Sequence, residues 1–284
     1  MTLMVRDIRE LLDQPDAYAA ELRRRWGGLL SYRYLGRRYS SMDNGPEDNT
    51  VAVRHDMRDP NGGLLLAVVG ICSPEGGAMS DLEDVPNPVV HSCQVLDSGR
   101  DVQRIEIVSE SLKRGRQFGF SRSVIRDAHD PDRVLALTEG QGISLGAPPE
   151  GLAKMDTAPI PVTDSPDLPP LSQVFGACVR DDGHWRLPVL TVDVASPDAA
   201  LHIGPQFVGL EAAARQRASQ VVSNEPLSGL ASHTMFVARG KVGPFRIEAN
   251  PVVADRRVAV RAAIFDEGAD DRLITAASFL FSRS

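Results

Sequence analysis

TVDVASPDAALHIGPQFVGLE, residues 191–211, sets a His-x-Gly at the head of an almost wholly apolar run and places a lone carboxylate, Glu211, inside that run. Continued to PQFVGLEAAA, the run has too few polar residues to leave any broad face in water, so it reads as a buried helix. A buried carboxylate has to be paired or used. The fold therefore turns on what covers this helix, and the chemistry on what Glu211 faces.

Outward from this stretch the chain repeats itself. TVDV at Thr191 matches TVAV at Thr50, an offset of 141. ASHTMFV around His233 matches VVHSCQV around His91, and FRIEA around Ile247 matches QRIEI around Ile105, both with an offset of 142. DRLITA from Asp271 matches DRVLAL from Asp132, an offset of 139. Four short matches in the same order at nearly constant spacing point to an internal duplication. This alignment places Asn61 on His202 and Gly70 on Glu211, and gives His91 and His233 one shared structural duty in a strand.

Each copy reads as a short strand, an apolar helix, then strands with period-two alternation joined by turns such as DAHDPD and DEGADD. The alternation puts Ile105 with Ile107, and Ile247 with Ala249, on one face of a sheet. GGLLLAVVGI in the first copy and PQFVGLEAAA in the second are the helices that cover those faces. The expected architecture is α+β: a central apolar helix wrapped by an antiparallel β-sheet, made twice. The boundaries are an N-terminal helical segment at 1–45, a first copy at 46–146, a linker at 147–186 and a second copy at 187–284. Seven prolines between 148 and 170 make the linker extended. VRDIRELLDQPDAYAAELRRRW reads as amphipathic helices capping the structure, with ELRRRW as a solvated face.

Composition narrows the function classes. Over 284 residues the net charge is -7, with no long Lys/Arg block, which argues against a nucleic-acid footprint. No stretch approaches eighteen uninterrupted apolar residues, and MTLMVRDIRELL carries charges where a signal peptide has its apolar centre, so a cytoplasmic protein with no membrane partner is expected. Cys72, Cys93 and Cys178 share no metal-binding or disulfide spacing and read as small buried hydrophobes.

With HIGPQFVGLEAAA at His202, FVARGKVGPFRIEANPVVADRRVAVRAAIFDEGADDRLITAAS after it, and IEIVSESLKRGRQFGFSRSVIRD in the first copy, the chain resembles the hotdog thioesterases. Specifically it is similar to a single-chain double hotdog of the acyl-CoA thioesterase (PaaI-like, 4-hydroxybenzoyl-CoA thioesterase) superfamily. The resemblance implies hydrolysis of an acyl-CoA or related acyl thioester at the interface of the copies, with Glu211 as base or nucleophile. It needs no cofactor or metal beyond the coenzyme A of the substrate. It pairs Glu211 with the backbone N–H of Gly62 or Gly63 at the start of the other copy's helix, where desolvation would raise the carboxyl toward a useful base. Thr234 resembles a threonine that holds water in two-copy members. Ser278 falls near the place of their glutamine, which has no counterpart. Asn61, Gly62 and Gly63 stand where the family has His-Gly-Gly, and His202 and Gly204 stand there in the second copy, where Ile203 replaces the first glycine.

Each of these residues also has a plainer reading. Arg215 lies four residues after Glu211, the favoured spacing for an exposed ion pair. Asn61 would cap its helix, His202 would cap or pack the helix start, and Thr234 would be an ordinary strand residue. Lys113, Arg114, Arg116, Arg239 and Lys241 lie at turns, where they would meet the phosphates of coenzyme A or simply be solvated. Two other functions compete. Asp198, four residues before His202, suggests the acid/histidine pair of a hotdog hydratase or dehydratase, and a degenerate first copy suits a non-catalytic acyl-thioester binder. A homodimer or higher oligomer of such pseudo-dimers fits either activity.

Overall fold

A computed structural model of the chain describes residues 5–37, 49–73, 86–115, 117–144, 146, 149 and 160–283. Eleven strands form one antiparallel sheet. In chain order they are β1 (Thr50–Ala52), β2 (Pro86–Val95), β3 (Arg104–Arg114), β4 (Phe118–Asp127), β5 (Val134–Ser144), β6 (Cys178–Val179), β7 (Trp185–Leu187), β8 (Leu227–Phe236), β9 (Phe245–Ala254), β10 (Arg257–Asp266) and β11 (Arg272–Arg283). Their order across the sheet is β1-β3-β4-β5-β2-β8-β11-β10-β9-β7-β6. About the β2–β8 seam the two sides mirror each other in order: β2, β5, β4, β3, β1 on one side and β8, β11, β10, β9, β7 on the other. Among the described residues the α-helices are α1 (Pro15–Gly28), α2 (Leu30–Arg33), α3 (Leu66–Cys72), α4 (Leu171–Val174) and α5 (Ile203–Val221).

The strands alternate as their sequences require. Val258, Val260, Ala262 and Ile264 of β10 are buried while their neighbours face outward. The covered face is closed by α5, which lies on β9 and β10, and by α3, which packs on β2, β8 and α5. All of α3 is buried, as an all-apolar helix must be. Phe207 of α5 packs so tightly on Gly70 of α3 that an added Cβ would lie 3.1 Å from its ring.

The strand order repeats on the two sides of the seam, but its register differs from the sequence matches. TVDV at Thr191 is a turn and not a strand; the partner of β1 is β7, six residues earlier. Before the helices, RDPNGGL (58–64) corresponds to ASPDAAL (195–201), an offset of 137. Both turns carry the same bridge, Arg58 with Leu64 and Ala195 with Leu201, and a positive φ at the same place, Gly62 at 83° and Ala199 at 52°. The equivalent of His202 is therefore Leu65 and not Asn61, and the equivalent of Gly70 is Phe207 and not Glu211. At this offset Glu211 corresponds to Pro74, outside the described residues.

The histidines part company as well. His91 lies opposite Thr234 on the buried face, whereas His233 lies opposite Ser92 and faces outward. Successive strand residues point to opposite faces, so an alignment one residue out puts the two rings on different sides of the sheet. FRIEA is displaced by two, an error that keeps the face: Ile247 pairs with Ile264 as Ile107 pairs with Ile125. The segment taken as linker becomes part of the second half from Leu171 on, since α4, β6 and β7 lie within it.

The N-terminal helices form their own small core of Ile8, Leu11, Tyr18, Leu22, Trp26 and Leu29 and dock on the turn that leads into α5. Ile8 N–H donates to Pro197 O, and Leu30 N–H to Asp193 O. Within ELRRRW, Arg25 is buried and not solvated: it pairs with Glu21 and donates to Arg6 O and Ala195 O. His202 caps α5, its Nδ1 accepting from Gly204 N–H at 3.2 Å. Ser31 Oγ lies 2.9 Å from the same nitrogen and Tyr32 Oη 3.3 Å from Nε2. Burial pushes the His202 imidazole down to about 3, with Arg239 adding to the shift.

Two outcomes follow from this docking. A Cβ on Gly204 would lie 1.9 Å from Ser31 Oγ, so Gly204→Ala should cost about 1–3 kcal/mol and loosen residues 5–37, while Ser31→Gly in the same chain restores the loss. Thermal melts with limited proteolysis of the N-terminal segment check this, and an unaffected single variant would refute it. His202 and His91, the latter depressed to about 4 by burial, stay neutral in the folded protein but take up protons near 6.5 when unfolded. Stability is thus complete above about pH 6.5 and lost as pH falls through the window down to about 3. A melting temperature flat from pH 7 to 4 would contradict it.

Candidate active site

Glu211 sits two turns into α5, on the face turned to α3, and is 2% exposed. Its Oε2 accepts from the backbone N–H of Ala67 at 2.6 Å, in the first turn of α3, and its Oε1 from Nη2 of Arg215 at 2.7 Å. The two readings of this residue are both true in geometry: it faces the seam between the halves, and it is ion-paired at i+4. The pair is not on a solvated surface, however, because the carboxylate is buried and the guanidinium nearly so.

The N–H groups expected to meet Glu211 are engaged elsewhere. Gly62 N–H donates to Asp59 O, and Gly63 N–H to Asp59 Oδ1 at 3.0 Å. Past this turn Leu65 is the cap, with its own N–H on Met57 O. Ala67 N–H holds Glu211, and Leu66 N–H has no partner among the described residues. A helix start leaves such donors unfilled by its own geometry.

The same position behaves differently in the other half. At the offset of 137, Ala67 corresponds to Gly204, whose N–H goes to the helix's own His202 and is overlaid by Ser31. One helix start is thus met by a carboxylate from across the seam, and the other by a neutral ring under the N-terminal segment. His202 and Gly204 belong to this covered end. They are not brought to Glu211.

Thr234 is fully buried, and its hydroxyl has no hydrogen-bond partner among the described residues. Opposite it in the β2–β8 pairing stands His91, whose Nδ1 is equally unpartnered while Nε2 meets Ser73 Oγ at 2.7 Å. Phe207 packs edge-on against the His91 ring, 5.1 Å between centroids. The next core-facing residue of β2 is Cys93, whose thiol is pushed up to about 12 by burial, with the Glu211 charge adding to it. Phe207, which touches the His91 ring, lies one turn before Glu211 on α5. Buried polar groups without partners are uncommon, and two facing each other mark a place for a water or a substrate atom.

The remaining candidates have structural partners. Asn61 does not cap a helix; its Nδ2 donates to Ser228 Oγ across the seam at 3.0 Å. Arg239 is bound to Asp198 through two contacts of 2.7 and 2.5 Å, and Lys241 lies 3.6 Å from Asp7 and 3.9 Å from Asp198. Asp198 is consequently paired with Arg239, and no hydrogen bond joins it to His202. Arg116 and the Arg114 side chain lie outside the described residues. Among the described residues there is no His/Cys/Asp/Glu cluster suited to a metal, and no helix is long and apolar enough to cross a membrane. Sequence reasoning missed Asp59, Leu66, Ala67 and the free nitrogen of His91. The signal for the first three was the match of RDPNGGL to ASPDAAL.

No family profile and no curated protein sequence matches this chain. Solved structures do. The tesB protein of Mycobacterium avium subs paratuberculosis superposes with a TM-score of 0.54 at 12% identity, over 83% of this chain and 93% of its own. The acyl-CoA thioesterase II TesB2 of Mycobacterium marinum gives 0.55 at 15% identity, over 85% and 95%. A conserved hot dog fold protein of unknown function from Alicyclobacillus acidocaldarius gives 0.50 at 10% identity, over 83% and 92%. At these identities the likeness is one of fold, and the fold of this chain is the hotdog fold.

Proposed function

We propose that the chain is a double hotdog thioesterase that hydrolyses an acyl-CoA or related acyl thioester at the seam between its halves. The observation that carries this reading is the placement of the Glu211 carboxylate on Ala67 N–H, next to the Leu66 N–H, which has no partner among the described residues, at the start of the other half's helix. The acyl-CoA thioesterase II name of the Mycobacterium marinum structure supports the reaction class.

In this reading the thioester carbonyl lies at the start of α3, where Leu66 N–H donates to the oxygen as it becomes negative. Water is held by Thr234 Oγ1 and His91 Nδ1, whose hydrogen-bonding capacity is otherwise unused. Glu211 Oε2 takes a proton from that water as its oxygen bonds to the carbonyl carbon. The tetrahedral intermediate collapses with cleavage of the C–S bond. The proton held by Glu211 passes to the departing sulfur, leaving a carboxylic acid and a thiol. Arg215 holds Oε1, while Oε2 accepts one hydrogen bond from Ala67 N–H and takes the proton on its second lone pair.

A second reading has its own observation. Both oxygens of Glu211 already have donors, as they would if the residue only joined the two helices. Glu211→Gln separates the two. The base reading expects acyl-CoA hydrolysis, followed as thiol release, to fall by about 10²–10⁴. Turnover at the wild-type rate, with a lowered melting temperature, would leave Glu211 as an interhelix cap.

Thr234→Val is a complementary test, because the hydroxyl it removes has no partner among the described residues. Stability should hold or rise, since an unmet buried hydroxyl is lost. Removing a bond to the attacking water, about 1 kcal/mol, should slow hydrolysis by roughly five- to tenfold. Unchanged hydrolysis would take Thr234 out of the site.

A further inference from the structure

Arg215 does more than meet Glu211. Its Nη1 donates to Leu227 O at 2.5 Å, at the start of β8, and lies 3.6 Å from Oδ2 of Asp59, whose side chain is buried. The guanidinium lies over the Phe281 ring, 5.1 Å from its centroid. Asp59 belongs to the first half. Its Oδ1 accepts the N–H groups of Asn61 at 2.8 Å and Gly63 at 3.0 Å, so it shapes the turn that runs into α3. From α3, Ala67 N–H returns to Glu211 Oε2. The contacts close a ring through Glu211, Arg215, Asp59, the turn and Ala67.

We infer that Asp59 and Arg215 are positioning residues for Glu211: one guanidinium shared by two carboxylates from opposite halves sets both the orientation and the charge of the base. The inference rests on Glu211 acting in hydrolysis as proposed above. The planar guanidinium presents Nη2 to Glu211 and Nη1 to Leu227 O and Asp59 in fixed directions, a fork that the point charge of a lysine ammonium does not reproduce. The groups facing Glu211 are few. From α5 comes Arg215, from the turn Asp59 through Arg215, from β2 the Cys93 thiol, and from α3 only backbone N–H. Arg215 and Asp59 are the two charged side chains in this set.

The signs are opposite for the two partners. Arg215→Gln removes the cation and leaves Asp59 in place, so the acid limb of the kcat/KM profile moves to higher pH. Asp59→Asn frees the guanidinium for Glu211 alone, so the limb moves to lower pH. Loss of orientation in Arg215→Gln should also lower kcat by about 10²-fold, and Arg215→Lys should restore the limb without restoring kcat. A merely structural pair lowers the melting temperature in both variants and leaves the limb where it was.

The experiment is the pH dependence of acyl-CoA hydrolysis by the full chain for wild type, Glu211→Gln, Arg215→Gln, Arg215→Lys and Asp59→Asn, each with a thermal melt. Opposite shifts for Arg215→Gln and Asp59→Asn support the inference; coincident limbs, or shifts of the same sign, overturn it. Should Arg215→Gln fail to fold, the limb of Asp59→Asn decides: movement to lower pH supports the inference and a fixed limb ends it. Full activity in Glu211→Gln would instead overturn the underlying base assignment, a result distinguishable from immobile limbs in a protein whose Glu211→Gln variant is inactive.

Discussion

A carboxylate in the middle of an apolar helix tolerates burial only where donors meet its oxygens. In this protein the donors come from two directions: Arg215 one turn along the same helix, and the first turn of the helix in the other half. That requirement ties the halves together. For Ala67 N–H to reach Glu211, α3 must lie against α5 with its start at the level of Glu211, and Gly70 permits the approach by leaving room for the Phe207 ring. Removing one partner of a buried ion pair commonly costs about 3–5 kcal/mol, so the arrangement is held by the expense of undoing it.

Duplication produced two helix starts with the same turn and the same backbone bonds, and the chain has used them differently. In one, the second N–H of the helix meets a charge from across the seam and the first is free. In the other, the second meets the neutral ring of its own cap, which Ser31 and Tyr32 cover. The glycine at position 204 is what lets the N-terminal segment come so close. A pseudo-symmetric sheet thus carries an asymmetric pair of helix ends.

The asymmetry bears on the competing functions. A hydratase would need an acid and His202 acting together, but Asp198 is committed to Arg239 and His202 to the N-terminal segment. Glu211 lies one turn along α5 from Phe207, which packs on His91, and His91 and the facing Thr234 each carry a buried polar atom with no partner among the described residues. That combination suits a site that receives a carbonyl and a water.

The amino-acid sequence alone was enough to disclose the duplication, the apolar helices and the alternating strands, because apolar periodicity and turn chemistry are local properties that survive in the order of residues. It also marked Glu211, since a single charge in such a helix stands out in any register. The geometry around it was decided by tertiary structure. A four-residue error in aligning the turns, RDPNGGL on ASPDAAL at 137 in place of TVAV on TVDV at 141, moves the expected donor from Ala67 to the glycines, and a one-residue error in a strand puts His91 and His233 on opposite faces. Which N–H points at a carboxylate, and whether a ring lies inside or outside a sheet, depend on register between segments far apart in the chain. Register is set by packing across the seam, where no residue's own identity records its partner.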